Sequence, residues 1–211
     1  MKKVAEAIRS DGGTALEIET DITNGAEARD AVQRTVDELG RLDTVVNNAG
    51  LMLIGPFAQA PADEWDRMLA INVRGLLHIT QAAQPHLVRA AEDAPRRVAD
   101  IVNISSTAGR VASAGNAVYS LTKTGVVAFT EALRKELLPQ HVRVSVVEPD
   151  TVDTELGTHA RADLQEAIAR QTEGLEKPHP EDIADAVTCI VTRDRRVAVN
   201  ELLVRAGAQT W

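Results

Sequence analysis

The chain has 211 residues, of which 44 % are hydrophobic and 26 % charged, a composition that suits one globular domain with a sizeable core. Its net charge of −8 and isoelectric point near 5.2 argue against a nucleic-acid or anionic-membrane partner, because polyanions are bound by basic surfaces. The single cysteine, Cys189, excludes an intrachain disulfide and favours a reducing compartment, and no apolar run is long enough to predict a membrane span.

The first elements in chain order are predicted to be a helix, a strand and a second helix. An apolar period that stops at Gly12-Gly13 indicates the end of a helix, and residues 15–19 alternate as a strand does. Asn24 is expected to cap a helix that runs to about Leu39. The opening residues carry two lysines without an apolar stretch behind them, so no signal peptide is expected, and the cytoplasm is the simplest location.

Short apolar strands and longer helices alternate through the rest of the chain. Strands are predicted at residues 42–46, 98–104, 142–147 and 201–204, and helices at 63–89 with Asp63 as the cap, at 117–138, and from 181 onward. This alternation is typical of a doubly wound parallel α/β sheet, in which ligands bind at the carboxyl ends of the strands. No repeat or linker interrupts it, so residues 1–211 are expected to form one domain.

The chain's one tyrosine, Tyr119, is followed four positions later by Lys123, near the start of a predicted helix. This spacing places both side chains on one face of the helix. A phenol is a poor base at neutral pH, but a nearby ammonium group stabilises the phenolate and lowers the phenol pKa. The pair is therefore expected to exchange a proton near pH 7, while a simple surface contact is the alternative explanation of the spacing.

Three other polar features lie where a ligand is expected. Ser106 follows the strand at 98–104, Asn72 lies inside a predicted helix although asparagine is a poor helix former, and Asn-Asn-Ala-Gly at 47–50 follows the strand at 42–46. Each has a purely structural alternative, as a turn hydroxyl, a satisfied helix amide and a plain turn. No metal site is expected, because none of the histidines has ligand spacing: His78, His86, His141, His159 and His179.

Together and in this order, these motifs resemble the short-chain dehydrogenase/reductase family along essentially the whole chain. The motifs are the Asp21-Ile22-Thr23 turn, the NNAG sequence, the helix asparagine, Ser106 with Tyr119-x-x-x-Lys123, and the stretch EPDTVDT at 148–154. The wording NNAGLMLIGPF, VRVSVVEP, TVDTEL and VNELLVR is similar to the NADP-preferring branch that includes clavulanate dehydrogenase. The resemblance implies a Rossmann-type dinucleotide-binding and catalytic domain, and an NAD(P)-dependent oxidoreductase of small alcohols or carbonyls with NADP(H) favoured over NAD(H).

The resemblance also implies a role for each matching residue. Tyr119 is the general acid or base, Lys123 lowers its pKa and holds the nicotinamide ribose, and Ser106 binds the substrate oxygen. Asn72 holds a water that links Lys123 to solvent. The implied cofactor contacts are Asp21 and Ile22 at the adenine, Asn48, Ala49 and Gly50 at the adenosine side, Tyr119 and Lys123 at the ribose, and Pro149, Val152 and Thr154 at the nicotinamide.

The sequence departs from the family pattern in two places. The strand, glycine-rich turn and second strand with which the family opens have no counterpart here, which leaves residues 42–46 as an apolar sheet edge. The chain is therefore expected either to be a fragment of a longer protein or to close the gap by repacking or self-association. In addition, Asp150 stands where the family commonly has glycine and adds a carboxylate near the nicotinamide.

A catalytically silent homologue that serves as a binding or assembly partner is the alternative function. By the resemblance, the helices that carry Asn72 and Tyr119 are expected to pack in a homodimer or homotetramer. The partner is expected to be a small-molecule substrate, with no nucleic acid and no membrane. The segment 154–177 lacks aromatic residues and gives no shape for that substrate, so Thr158, His159 and Arg161 are candidate contacts with solvent exposure as the alternative.

Overall fold

A parallel sheet forms the centre of the computed structural model, which describes residues 2–93, 95–159, 161, 165–166, 170 and 172–209. Its described strands are β1 (Thr44–Asn47), β2 (Ala99–Ile104), β3 (Val142–Pro149) and β4 (Glu201–Val204), in the spatial order β1-β2-β3-β4. Every neighbouring pair is parallel. The described helices are α1 (Lys2–Ser10), α2 (Gly25–Leu39), α3 (Ala62–Met68), α4 (Leu76–Asp93), α5 (Ala117–Leu137) and α6 (Pro180–Val191).

Helices cover both faces of the sheet. Successive strand residues point to opposite sides, so each central strand contributes side chains to two clusters. Ile101 and Val144 belong to a buried cluster with residues of α2, α4 and α5. Val102 and Val147 belong to a second cluster with Ala186 and Ile190 of α6. The central strands are therefore buried on both faces, including the polar side chains of Asp100, Asn103 and Glu148, and the predicted doubly wound α/β architecture is confirmed.

The helix start signals were predicted correctly for α2 and wrongly for α3. Asn24 caps α2, since its side chain accepts a hydrogen bond from the Ala26 amide (3.0 Å). Helix α3 begins at Ala62, after Pro61, and Asp63 is not its cap but lies in its first turn. A carboxylate there still favours the helix, because it faces the positive end of the helix dipole.

The long predicted helix at 63–89 contains a change of geometry. Between α3 and α4, residues Leu69–Gly75 form a π-helical stretch, and Asn72 lies at its middle. A π-helical turn is seldom favoured without a specific side-chain requirement and is frequent at functional sites. The asparagine that interrupts the helical pattern in the sequence therefore marks a local change in the backbone.

The predicted strand at 15–19 is wrong. The backbone from residue 14 to 21 has no strand pairing, and β1, the nearest strand along the chain, pairs in the described residues only with β2. A strand needs the backbone of a neighbour to satisfy its amides and carbonyls, and alternating side chains alone do not supply one. Half-buried side chains of this segment instead line an open apolar cavity of about 590 Å³ beside β1, together with residues of α1, α2 and α4.

In the described part of the chain, no helix combines the length and the hydropathy that a bilayer crossing requires.

Candidate active site

A buried polar network ties together the carboxyl ends of β1 and β2. The Asn47 side-chain amide donates to the Asn103 side-chain oxygen (2.8 Å) and to the Thr80 hydroxyl (3.0 Å), and the Asn103 amide donates to the Thr130 hydroxyl (2.8 Å). Asn103 is fully buried. Because a buried amide is costly unless it is paired, this network fixes the two strand ends relative to α4 and α5.

Asn72 holds the segment that follows β1. Its side-chain oxygen accepts from the Leu51 amide (2.7 Å), and its side-chain nitrogen donates to the Leu51 carbonyl (2.8 Å) and to the Thr122 hydroxyl (3.2 Å). The side chain is 2 % exposed. It therefore joins the π-helical stretch, the chain after Gly50 and helix α5 at one point, and the water-holding role implied by the resemblance stays a prediction.

Tyr119 and Lys123 share a buried face of α5. Both are 5 % exposed, and the Lys123 Nζ lies 5.7 Å from the centre of the Tyr119 ring. The Lys123 ammonium donates to the carbonyl of Ile104, the last residue of β2 (2.9 Å). The predicted shared face is thus present, and the surface-contact alternative does not fit side chains buried this deeply.

The net pKa shifts differ from the expectation. Burial raises the pKa of Tyr119 above its ordinary value, and a side-chain hydrogen bond with Ser106 lowers it only in part. Burial lowers the pKa of Lys123 to about 8. The expected net lowering of the Tyr119 pKa is not seen, because the cost of burying the phenolate dominates. The lowering effect of Lys123 itself, which donates to the Ile104 carbonyl, stays a prediction. At neutral pH Tyr119 therefore carries its proton, as a general acid must.

Ser106 reaches Tyr119 from the turn that follows β2. It precedes a 3₁₀ turn at Thr107–Gly109, and its hydroxyl accepts a hydrogen bond from the Ala108 amide (3.2 Å). The same side chain lies close enough to Tyr119 to lower the pKa of the phenol in part. A hydroxyl beside a protonated phenol offers two donors to one substrate oxygen, an arrangement that stabilises negative charge there.

The backbone that follows β1 passes close to Lys123 and Asn72. Asn48 and Ala49 are exposed, and Gly50 is half-buried. A Cβ atom on Gly50 would stand 3.7 Å from both the Lys123 Nζ and the Asn72 Oδ1. The structure thus brings the predicted residues Gly50, Asn72, Ser106, Tyr119 and Lys123 to one place, with the exposed backbone of 48–49 beside them.

The predicted adenine contacts lie in a turn next to the π-helical stretch. Asp21 accepts hydrogen bonds from the Thr23 amide (2.9 Å) and hydroxyl (2.7 Å), which lower the pKa of its carboxyl. Ile22 packs so closely on Gly75 that a Cβ atom there would lie 2.6 Å from the Ile22 side chain. The Ile22 carbonyl lies 3.1 Å from His78 Nδ1. Glycine at position 75 therefore leaves the space that the end of the Ile22 side chain occupies.

The predicted nicotinamide contacts follow β3, which ends at Pro149. Asp150 pairs with Arg205, with 3.2 Å between its Oδ2 and the arginine Nε, and the Asp150 amide donates to the Val204 carbonyl (2.9 Å). Asp150 is not among the residues with positive φ, so this position does not require glycine. Val152 is half-buried and Thr154 exposed, and among the described residues neither is hydrogen-bonded to Tyr119 or Lys123.

Two of the candidate substrate contacts are exposed, and the third lies near α3. Thr158 and His159 are exposed, and the Arg161 guanidinium donates to the Gln59 carbonyl (3.1 Å) near α3. The side chains packed with Tyr119 are instead apolar: Leu51, Leu53, Met68 and Ala108. The described residues contain no group of three or more histidine, cysteine, aspartate or glutamate side chains that could hold a metal ion.

Sequence reasoning missed two sets of residues that build the site. Asn103 and the threonines of its network, Thr80 and Thr130, were not identified, although an asparagine inside a buried strand indicates a satisfied polar contact. Arg110 and Glu148 were also missed, and hydrogen bonding to Glu148 raises the pKa of Arg110. Since these two residues are far apart in the sequence, no local pattern indicates their pairing.

Known proteins resemble this chain along nearly its whole length. The family model for short chain dehydrogenases matches residues 1–165. An uncharacterised oxidoreductase of Methylorubrum extorquens is 34 % identical over 208 residues, which cover 97 % of this chain and 80 % of that protein. The closed form of a serine dehydrogenase complexed with NADP+ is 29 % identical with a TM-score of 0.87, covering 100 % of this chain and 84 % of that one. A 3-ketoacyl-(acyl-carrier-protein) reductase from Brucella melitensis complexed with NADH is 28 % identical with a TM-score of 0.81. The match covers 98 % of this chain and 84 % of the reductase chain.

Proposed function

Because this chain belongs to the short-chain dehydrogenase family, we propose that it is an NAD(P)-dependent oxidoreductase acting on a small alcohol or carbonyl compound, built as one dinucleotide-binding and catalytic domain over residues 1–211. The observation that carries the proposal is the group formed by the buried Tyr119 and Lys123 and the half-buried Ser106 at the carboxyl end of β2. The alternative, a silent assembly partner, explains none of these buried polar contacts. The relatives named as oxidoreductases and dehydrogenases also favour the enzyme.

In carbonyl reduction, the Tyr119 hydroxyl donates its proton to the substrate oxygen while the Ser106 hydroxyl holds the same oxygen. The phenol is available for this step because burial keeps it protonated at neutral pH. Lys123, whose pKa is about 8, then returns a proton toward Tyr119. In alcohol oxidation the same groups act in the opposite direction. The bound nicotinamide cofactor supplies or accepts the hydride.

The residues around Lys123 fit a nicotinamide cofactor. The Lys123 ammonium lies directly below Gly50, whose missing side chain leaves the lysine within reach of a ribose, and the backbone of 48–49 is exposed beside it. Asp21 and Ile22 form the turn proposed for the adenine, and Pro149, Val152 and Thr154 the segment proposed for the nicotinamide. The related structures carry NADP+ in one case and NADH in another. The preference for NADP(H) is a proposal that rests on the resemblance to the clavulanate dehydrogenase branch.

The surroundings of Tyr119 support an uncharged substrate. The apolar side chains of its cluster include Leu51, Leu53, Met68 and Ala108. A charged group placed against these side chains, rather than against Lys123 or Ser106, would lose its hydration without a partner. Exposed leucines on the π-helical stretch, α4 and α5, namely Leu69, Leu77 and Leu121, support the proposed homodimer or homotetramer. A cytoplasmic location is proposed from the single cysteine.

Calorimetric titration with NADPH and with NADH, combined with a screen of small aldehydes and ketones, tests the proposal. We expect saturable binding of at least one cofactor, tighter for NADPH, and consumption of NADPH with one or more carbonyls. Tyr119→Phe serves as the control that should bind cofactor but not turn over, because it lacks only the proton donor. A folded wild-type protein that binds neither cofactor would contradict the proposal.

A further inference from the structure

Hydrogen bonds connect residues 105–109, here called the Ser106 turn, to helix α5. The Ser105 hydroxyl donates to the Lys123 carbonyl (2.9 Å), and the Thr124 hydroxyl donates to the Gly109 carbonyl (3.1 Å). Gly109 lies so close that a Cβ atom there would stand 3.0 Å from the Lys123 carbonyl oxygen. These contacts set the distance between the turn and α5 at the level of Lys123.

Ion pairs of Arg110 connect the Ser106 turn to the sheet. The Arg110 Nε donates to the Glu148 Oε2 (2.6 Å), and the Arg110 Nη2 contacts both Glu148 and the Glu201 Oε2, the latter at 2.6 Å. Glu148 lies next to the end of β3, and Glu201 is the first residue of β4. A single guanidinium therefore links the residue just past the turn to two strands of the sheet.

The burial of Glu148 shows how strongly this link constrains the chain. Glu148 is 0 % exposed, and its second carboxylate oxygen has no hydrogen-bond partner among the described residues. A buried carboxylate is stable only beside a compensating charge, and in the described contacts Arg110 supplies that charge. Arg110 cannot move away without leaving the carboxylate uncompensated, so the turn cannot easily shift along α5.

We propose that Arg110 and Glu148 are positioning residues, which hold the Ser106 turn at the level on α5 where the Ser106 hydroxyl reaches Tyr119. Neither residue contacts the reacting atoms in this proposal; both act through Ser106. The catalytic importance of the position rests on the proposed function, whereas the position itself can be measured without turnover.

The single tyrosine makes that measurement specific. Tyrosine labelled with ¹³C at the ring carbon that bears the hydroxyl gives one NMR signal, which responds to hydrogen bonding of the phenol. Ser106→Ala defines the displacement that follows loss of the hydroxyl. Arg110→Met and Glu148→Gln should displace the signal in the same direction, and Arg110→Lys should displace it less because it keeps the charge but not the fork of donors.

The matched control is Arg134→Gln, which breaks an ion pair with Glu131 on the same helix, away from the Ser106 turn. It should leave the tyrosine signal unchanged. If Arg110→Met fails to fold, the double variant Arg110→Met with Glu148→Met, which buries no unpaired carboxylate, decides in its place. A folded Arg110→Met protein, or a folded double variant in its place, that keeps the wild-type tyrosine signal would overturn the proposal. A Ser106→Ala protein whose tyrosine signal does not move would overturn it as well.

Activity provides the second, separate readout. If the chain is an active reductase, Arg110→Met and Glu148→Gln should lower kcat with little change in KM for the cofactor, because the cofactor contacts around Gly50 and Lys123 are untouched. Absence of turnover in the wild type, combined with the expected tyrosine displacements, would refute the proposed function and leave the positioning role supported. A loss confined to KM would count against the positioning role.

Discussion

The two sides of β1 differ in how they are filled. On the side of β2, Asn47, Asn103 and their threonine partners form a buried hydrogen-bonded network, and the neighbouring Ile104 carbonyl accepts a hydrogen bond from Lys123. On the other side, the strand borders an open apolar cavity of about 590 Å³ without a paired strand among the described residues. The groups proposed to transfer the proton thus depend on a packed core, while the turn proposed for the adenine lies at a loosely packed edge. Proton transfer on the packed side and cofactor binding at the loosely packed edge are therefore expected to respond differently to substitution.

Tyr119→Phe is expected to have the largest effect, on the packed side. Loss of a positioned proton donor should lower kcat/KM by about 10²- to 10⁴-fold, whereas the fold should persist because the ring remains in place. Steady-state kinetics with NADPH and an accepted carbonyl, alongside circular dichroism, provide the measurement. Retention of near wild-type turnover would remove Tyr119 from the proposed chemistry.

A pair of leucine substitutions compares the packing of the two sides directly. Leu87 is 0 % exposed in the core cluster of α4, so Leu87→Ala should reduce the free energy of unfolding by about 2–5 kcal/mol. Leu16 is half-buried on the cavity wall, and Leu16→Ala should reduce it by less than about 1 kcal/mol. Urea denaturation of both variants measures the difference, and equal losses would mean that the cavity wall is as well packed as the core.

Lys123→Met tests the cost of burying a charge on the packed side. The pKa of Lys123 falls from 10.5 to about 8 in the folded protein, so below pH 8 both states carry the proton and the folded state bears the burial penalty. Lys123→Met should therefore raise the free energy of unfolding by about 2 kcal/mol at pH 7.

The sign of the pH dependence follows from proton binding. Between pH 8 and 10.5 the unfolded wild type binds more protons than the folded one, so wild-type stability rises and the advantage of Lys123→Met shrinks. Denaturation of both proteins across this range measures the trend. A difference that is constant or grows with pH would show that burial does not depress the Lys123 pKa.

Asp150→Gly is expected to have the smallest effect. The carboxylate is already paired with Arg205, and the backbone does not adopt the left-handed conformation that favours glycine. The dissociation constant for NADPH should change by less than about threefold, as for other partly exposed ion pairs. Calorimetric titration tests this, and a large gain in affinity would mean that the Asp150 carboxylate repels the cofactor.

The sequence predicted the helix face shared by Tyr119 and Lys123 better than the edge of the sheet next to β1. The spacing of Tyr119 and Lys123 predicts a shared helix face because helical periodicity is local, and Asn24 predicts the start of α2 for the same reason. Residues 15–19 have the alternation of a strand but no neighbour to pair with, and that information is not local. Asn72 signalled an irregularity, although its π-helical form depends on the distant Leu51 and Thr122.

The pKa shifts were the least predictable part of the site. Proximity of an ammonium and a phenol predicts a lowered phenol pKa, but both groups are buried, and burial opposes the charged form of each. The depth of burial depends on the packing of β2, α5 and the Ser106 turn together. The pairing of Arg110 with the buried Glu148 likewise needs the sheet to bring residues from separate elements into contact.

Deuteride transfer tests the central claim most directly. The purified chain is incubated with NADPH carrying deuterium at the reactive C4 position and with small uncharged carbonyls, and the alcohols are analysed by mass spectrometry. We predict deuterium in the carbon-bound position of the alcohol with the wild type, and at least about a hundredfold less in the same time with Tyr119→Phe. Folded wild-type protein that binds the cofactor and yields no deuterated alcohol from any small carbonyl would contradict the account.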